Sequence, residues 1–315
     1  MDSNNQINLE LGGFLAGFRP EAGGNLVRLH HLASGTEILR TPPDDETYNA
    51  KPEIWGIPVL MPPNRIRDGR FVYQDRVYQL PVNEPAPRHN NLHGIVLHRA
   101  WEFCQTSNNS VEMSLDYPGS SADEGWMHSF RVVLRYEFSL HSLFQEIKFI
   151  NTSDLTMPLM TGYHTAFNFP DGAELKLSAR SENRLLDDVR KIVNGQTVQL
   201  PSWQIWQRVP AGKNLLGHCA MDRDYGEARC SIRYAGNSWQ MHYILPEPWR
   251  EWVIWNGTGY ENFVCVEPQS CRIDAMNINL PPAESGLIEL PPGSEQTLRA
   301  FILMENTAAL PNTLC

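Results

Sequence analysis

The chain is built from short runs in which apolar and polar residues alternate. Arg131-Val132-Val133-Leu134-Arg135-Tyr136-Glu137-Phe138 alternates, as do Phe144-Gln145-Glu146-Ile147-Lys148-Phe149-Ile150 and Phe263-Val264-Cys265-Val266-Glu267. A period of two puts successive side chains on opposite faces of a β-strand, and the β-branched and aromatic residues in these runs suit that state. No segment sustains apolar residues at i, i+3, i+4 and i+7. The best helical candidate runs from Ser181 to Ile192, and its Asn183, Asp187 and Asp188 favour a loop or a single turn.

Turn residues punctuate these runs. The 23 prolines and 22 glycines are spread along all 315 residues, so they mark turns and not one linker. Asp68-Gly69 between Ile66 and Phe71 is the strongest short hairpin signal, Tyr73 to Tyr78 reads as the next strand-turn-strand piece, and Leu29 to Leu39 as another. No internal repeat at a fixed period is evident, which argues against a propeller or solenoid. Strands without βαβ units imply an all-β fold of large antiparallel sheets packed face to face as a β-sandwich. One domain over residues 1–315 is expected, since a large all-β unit can occupy that length.

Composition narrows the partners. The net charge of -10, from 36 acidic and 26 basic residues, repels nucleic acid and anionic membranes and suits a neutral small molecule. No stretch approaches the roughly 18 consecutive apolar residues of a membrane span. Met1-Asp2-Ser3-Asn4-Asn5 has neither a basic start nor an apolar run, so no export signal is visible and a cytoplasmic location is expected. In that setting the six cysteines, which include no CxxC pair, are expected to be reduced thiols.

The candidate chemistry lies in polar residues set among these strands. Glu267 shares a strand face with Phe263 and Cys265, just before Pro268, which is expected to end strand pairing for want of an N–H. A carboxylate so placed is a general base with a raised pKa or a strand-end glutamate with a salt-bridge partner. His164 lies in an aromatic stretch, Gly162 to Phe169, and is either a satisfied core group or a proton donor to a ligand. His93 precedes Gly94, where a backbone turn or a ligand can come close. Arg65, behind Pro62-Pro63-Asn64, suits bidentate contact with vicinal hydroxyls or a carboxylate. Arg67 and Arg70 raise a sugar phosphate, although a solvated hairpin with Asp68 and Asp75 as neighbours explains them more simply. His89, His93 and His98 fit no metal-ligand spacing, and no nucleotide, dinucleotide or serine-hydrolase motif is present.

Taken together, the segments Gly56 to Pro62 with Asn64-Arg65-Ile66, Asp68 to Phe71, Asn91 to Gly94 with Trp101, His164 with Phe167-Asn168-Phe169, and Val264 to Pro268 closed by Asp274 to Asn277 resemble the aldose 1-epimerase (mutarotase) family, in order along nearly the whole chain. The resemblance implies a galactose mutarotase-like sandwich whose cleft binds a monosaccharide, with no metal or organic cofactor. It implies that Glu267 takes the proton from the C1 hydroxyl and His164 protonates the ring oxygen. His93 and Arg65, with Asn64, would hold hydroxyls and the ring. The family's further aspartate matches best at Asp222, with Asp224 close by. The expected reaction is exchange of α and β anomers of a free aldohexose. The rivals are a non-catalytic sugar-binding module, an epimerase of hexose 6-phosphates, and a carbohydrate lyase or hydrolase on a similar sandwich.

Overall fold

Two of the alternating runs pair with each other. The strand Ser129–Phe138 lies antiparallel to Ser142–Asn151, with Val132 opposite Phe149 and Leu134 opposite Ile147. In both strands every second residue is buried, so the sequence period decides which face meets the core. They are central to a nine-stranded antiparallel sheet that begins with Glu102–Ser107 and Ser110–Pro118 and continues through Glu295–Asn306 and Trp239–Pro246 to Glu227–Arg233, Glu174–Leu177 and Gln207–Arg208. The computed structural model describes residues 6–119, 125–199 and 202–309; the N-terminal residues 1–5 and Cys315 lie outside them.

A second sheet, of eight strands, faces the first. Its order is Ile192–Gln199, Ala179–Asp187, Leu216–Met221, Glu251–Trp255, Phe263–Gln269, Gly162–Tyr163 and Val59–Leu60, with Ala166–Asn168 also paired to Phe263–Gln269. Tyr243 of the nine-stranded sheet packs between the two, with its ring centroid 5.5 Å from Phe167 and 6.3 Å from Trp252. A four-stranded sheet, Ile7–Leu11 to Thr36–Glu37, adds Phe14 against Phe138 and Phe18 against Tyr136. One buried apolar cluster runs through all three sheets. This is the sandwich of antiparallel sheets that the alternation implies.

Three local expectations are corrected, and one short helix is added. The segment from Ser181 to Ile192 contains no helix: Ala179–Asp187 and Ile192–Gln199 form a bulged hairpin. Its polar residues serve that geometry, because the Asp187 carboxylate accepts the backbone N–H groups of Val189 and Arg190, each at 3.0 Å. Asp68 and Gly69 do form a turn, with φ of 57° and 62°. The strands beside it do not pair with each other, however: Arg65–Arg67 pairs with Asn90–Leu92, and Arg70–Tyr73 with Arg76–Gln79. Pro268 does not end its strand, which continues to Gln269. The flanking ladder bonds survive, Val266 N–H to the Thr165 carbonyl at 2.9 Å and Ser270 N–H to the Thr161 carbonyl at 2.8 Å, so only one is lost. Finally, a six-residue helix, Asp45–Ala50, is capped by the Asp44 carboxylate on the Thr47 N–H at 2.7 Å and buries only Tyr48, too short to leave a periodic stripe. Among the described residues no helix is long and apolar enough to cross a membrane.

Candidate active site

Glu267 sits on Phe263–Gln269, an inner strand of the eight-stranded sheet with every residue buried. The neighbouring chain reaches His164 directly after Gly162–Tyr163, where the His164 N–H donates to the Pro58 carbonyl at 3.1 Å. That anchorage turns the imidazole toward the carboxyl, with His164 Nε2 3.2 Å from Glu267 Oε1. His93 comes from a different ladder. It follows Asn90–Leu92 in a left-handed conformation (φ 63°), its N–H donating to the Asn64 carbonyl at 2.8 Å. Its ring meets His164 edge-on, with centroids 5.0 Å apart and planes at 89°. Asp274 ties this ladder to the sheet by accepting the Arg67 N–H at 3.1 Å, while its own N–H donates to the Arg65 carbonyl at 3.1 Å.

The structure gives Arg65 a partner within the protein. Its guanidinium is bidentate to Glu84, Nε to Oε2 at 2.8 Å and Nη2 to Oε1 at 2.9 Å, leaving Nη1 toward the Asn64 side-chain oxygen at 3.3 Å. Burial alone pushes the Glu84 carboxyl up, but the donors from Arg65, Arg88 and Asn90 outweigh it and hold the group at about 2. Arg67 turns away to Asp274, 3.6 Å distant.

Burial dominates the electrostatics of the central pair. It raises the Glu267 carboxyl to about 8 against the opposing pull of Arg65 and a long bond from Gln269. It lowers the His164 imidazole to about 4 and takes His93 well below its usual value. At neutral pH the Glu267–His164 pair therefore carries one proton in total, and the 3.2 Å contact is a neutral hydrogen bond more than an ion pair.

These groups share one cleft of about 390 Å³, within the range of small-molecule sites. Asn64, Arg65, His93, His164 and Glu267 all line it. Asp222 does not. It follows the strand Leu216–Met221, accepts from Gln204 at 3.0 Å, and lines two other depressions. The physical reason is reach: His218, which does line the cleft, is four residues earlier, about 13 Å along an extended strand. Asp224 likewise lies outside the cleft, bridged to Glu227. His218 and Trp255 belong to the cleft although no sequence motif marks them. The available signal for His218 is a polar residue two positions from both Leu216 and Ala220 on an alternating strand. Lys51, Arg88 and Lys191, also at the cleft, come from segments with no periodicity to place them.

His164, Cys265 and Glu267 also offer ligand atoms within 4.8 Å of one another. Burial drives the Cys265 thiol far above its ordinary range, so a metal held there has to expel that proton. Without one, the arrangement is a buried acid–base pair beside hydrogen-bonding groups.

A sequence profile of the aldose 1-epimerase family matches residues 7–300. A 108-residue stretch is 32% identical to YihR, an uncharacterized protein of Escherichia coli strain K12, and the match spans 34% of each chain. A galactose mutarotase-like protein from Clostridium acetobutylicum superposes with a TM-score of 0.86 at 29% identity, covering 96% of this chain and 95% of that one. An aldose epimerase homologue from C. elegans shares the fold at 13% identity, with a TM-score of 0.78 over 96% of this chain and 99% of its own.

Proposed function

The chain belongs to the aldose 1-epimerase family, and from that premise we propose that it exchanges the α and β anomers of a free aldohexose by acid–base ring opening and reclosure. The observation that carries the reading is the 3.2 Å contact between His164 and Glu267 in a cleft of monosaccharide size. In a hemiacetal the hydroxyl oxygen O1 and the ring oxygen O5 are both bonded to C1, so two adjacent groups can address both. With the pair's proton on His164, that proton passes to O5 while Glu267 removes the O1 proton. The C1–O5 bond breaks, the C1=O1 bond forms, and the pair ends with its proton on Glu267.

The aldehyde then turns about C1–C2. On reclosure Glu267 returns its proton to the carbonyl oxygen as O5 attacks, and His164 takes the O5 proton. The two tautomers of a one-proton pair are thus the start and end of each half-reaction, and burial that excludes water keeps the proton count at one. Each positioned transfer supplies roughly 10²–10⁴-fold. Sugars already mutarotate in water, so two such transfers with orientation are sufficient. The half-buried Trp255 indole, 6.1 Å from the His164 ring, gives the C–H face of a pyranose an apolar surface.

Polarimetry of freshly dissolved α-D-glucose and α-D-galactose tests the reading. The expected result is faster relaxation with wild type and loss of that effect in Glu267→Gln and His164→Asn at unchanged fold. Calorimetric sugar binding without faster relaxation supports a non-catalytic sugar-binding module instead. A second reading, an aldose carrying an anionic group away from C1, draws on Lys51, Arg88 and Lys191 at the cleft of an otherwise acidic protein. Lys191 is 2.7 Å from Asp188 and Arg88 2.7 Å from Glu84, which leaves Lys51 the freest cation of the three. Faster turnover of glucose 6-phosphate than of glucose selects that reading.

A further inference from the structure

We propose that His218 is a specificity-determining residue of this site, hydrogen-bonding the hydroxyls on the sugar edge remote from C1. The inference rests on the proposed anomer exchange and names a contact beyond it.

The sheet register places the residue. His218 is opposite Val253, and Val253 is opposite Glu267, so the three lie in a row across adjacent strands on one face. With strands about 4.8 Å apart, the His218 backbone stands about 10 Å from that of Glu267. A pyranose whose C1 meets Glu267 and His164 then lies over Val253 and turns its far edge to His218. The next residue, Cys219, is opposite Trp252 and points to the opposite, core face.

Hydrogen bonding separates His218 from the structural histidines. It is 4% exposed, and neither ring nitrogen has a partner. Buried histidines away from the cleft use both nitrogens: His128 bonds Tyr78 and Ser153 at 2.7 and 3.1 Å, and His242 bonds Ser231 and Glu305 at 2.8 and 2.9 Å. An imidazole that is merely structural has no reason to leave both unmet, since each buried unmet group weakens the fold. Unmet nitrogens recur at His93 and His164, one each, and all three rings line the same cleft. Burial, reinforced by Arg65 and Lys191, keeps His218 neutral. A neutral imidazole offers one donor and one acceptor, which matches two neighbouring hydroxyls, whereas a carboxylate at the same place only accepts.

His218→Leu removes both polar atoms at similar volume, and His218→Asn keeps a donor and an acceptor. The expected result for His218→Leu on glucose or galactose is KM raised about tenfold with kcat within about twofold of wild type. Its melting temperature is expected to be equal or higher, because unmet buried groups are gone. His218→Asn is expected to recover most of the KM. Sugars lacking the C3 or C4 hydroxyl are expected to show a smaller gap between wild type and His218→Leu than the parent sugars do. Equal KM for wild type and His218→Leu overturns the inference, as does a joint fall of kcat and melting temperature that His218→Asn does not rescue. Calorimetric binding of the same sugars separates the two claims. Wild type that binds without speeding mutarotation overturns the proposed reaction, while equal Kd for wild type and His218→Leu overturns the role of His218.

Discussion

Glu84 holds Arg65 by both arms of the guanidinium, at 2.8 and 2.9 Å, and so fixes the cation whose field reaches both Glu267 and His164. Glu84→Gln keeps the shape and removes the charge. Arg65, with its side chain 13% exposed, is then left with its countercharge gone, which is expected to lower stability by about 3 kcal/mol in denaturant titration. The less screened Arg65 also favours the Glu267 carboxylate, so the alkaline limb of the pH–rate profile is expected to move to lower pH. The sign for stability follows from Glu84 lying at about 2, below its ordinary value: its contribution is present above pH 4.5 and lost as pH falls toward 2. Glu84→Gln is expected to flatten acid unfolding in that window. Unchanged acid unfolding and an unmoved alkaline limb count against the role given to this pair.

The one-proton pair predicts a bell-shaped profile for kcat/KM. Below about 4, where His164 gains a proton while Glu267 keeps its own, no base remains; above about 8, where Glu267 loses the proton, no acid remains. The plateau is expected between those values, and they belong to the pair as a whole. Mutarotation rates corrected for the uncatalysed reaction measure it. A rate that keeps rising through pH 9 excludes a shared proton as the working acid.

Glu267→Gln is expected to abolish catalysis and stabilise the protein. The native carboxyl, raised to about 8, keeps a proton that the unfolded chain has released above its ordinary value of 4.5. Wild-type stability from this group is therefore whole below pH 4.5 and declines as pH rises through 8, by on the order of 1.4 kcal/mol per pH unit within the window. Gln carries no such dependence. The melting-temperature difference, variant minus wild type, is expected to lie near zero at pH 4.5 and to grow toward pH 8, with activity down at least about a thousandfold. A difference that does not vary with pH contradicts the buried-acid assignment.

Much of the architecture can be read from residues such as Val132, Leu134, Phe149 and Ile147, because an alternating strand declares its buried face locally and the sheets need only bury it. The positions of Asn64, Arg65, His93, His164 and Glu267 in one cleft can be anticipated only from their resemblance to a family pattern, since strands far apart in sequence supply them. Non-local choices are not readable. Asp68-Gly69 forms its turn, but the pairing of Arg65–Arg67 is decided by Asn90–Leu92 and by Asp274, 207 residues from Arg67. The partner of Arg65 lies in a proline-rich segment where nothing periodic singles out Glu84. Asp222 and His218 differ by four positions along one stretch of chain, a spacing that a motif tolerates and a cleft does not.

Gly94 tests whether the cleft depends on backbone packing beside His93. It has φ 73°, and a Cβ there would collide with the Met61 carbonyl, which also accepts the Ile95 N–H at 2.8 Å. Gly35 is the control, with φ 64° and nothing within 4 Å of the place a Cβ would take. Gly35→Ala is expected to lose about 1 kcal/mol from left-handed strain alone. Gly94→Ala bears the same strain plus the collision, and is expected to lose about 2 kcal/mol or more. Because Met61 and Asn64 lie on the chain that accepts from Ile95 and His93, the shift reaches the cleft and is expected to raise KM as well. Equal losses in the two variants, with KM unaltered in Gly94→Ala, mean that the loop yields to the methyl group without moving His93.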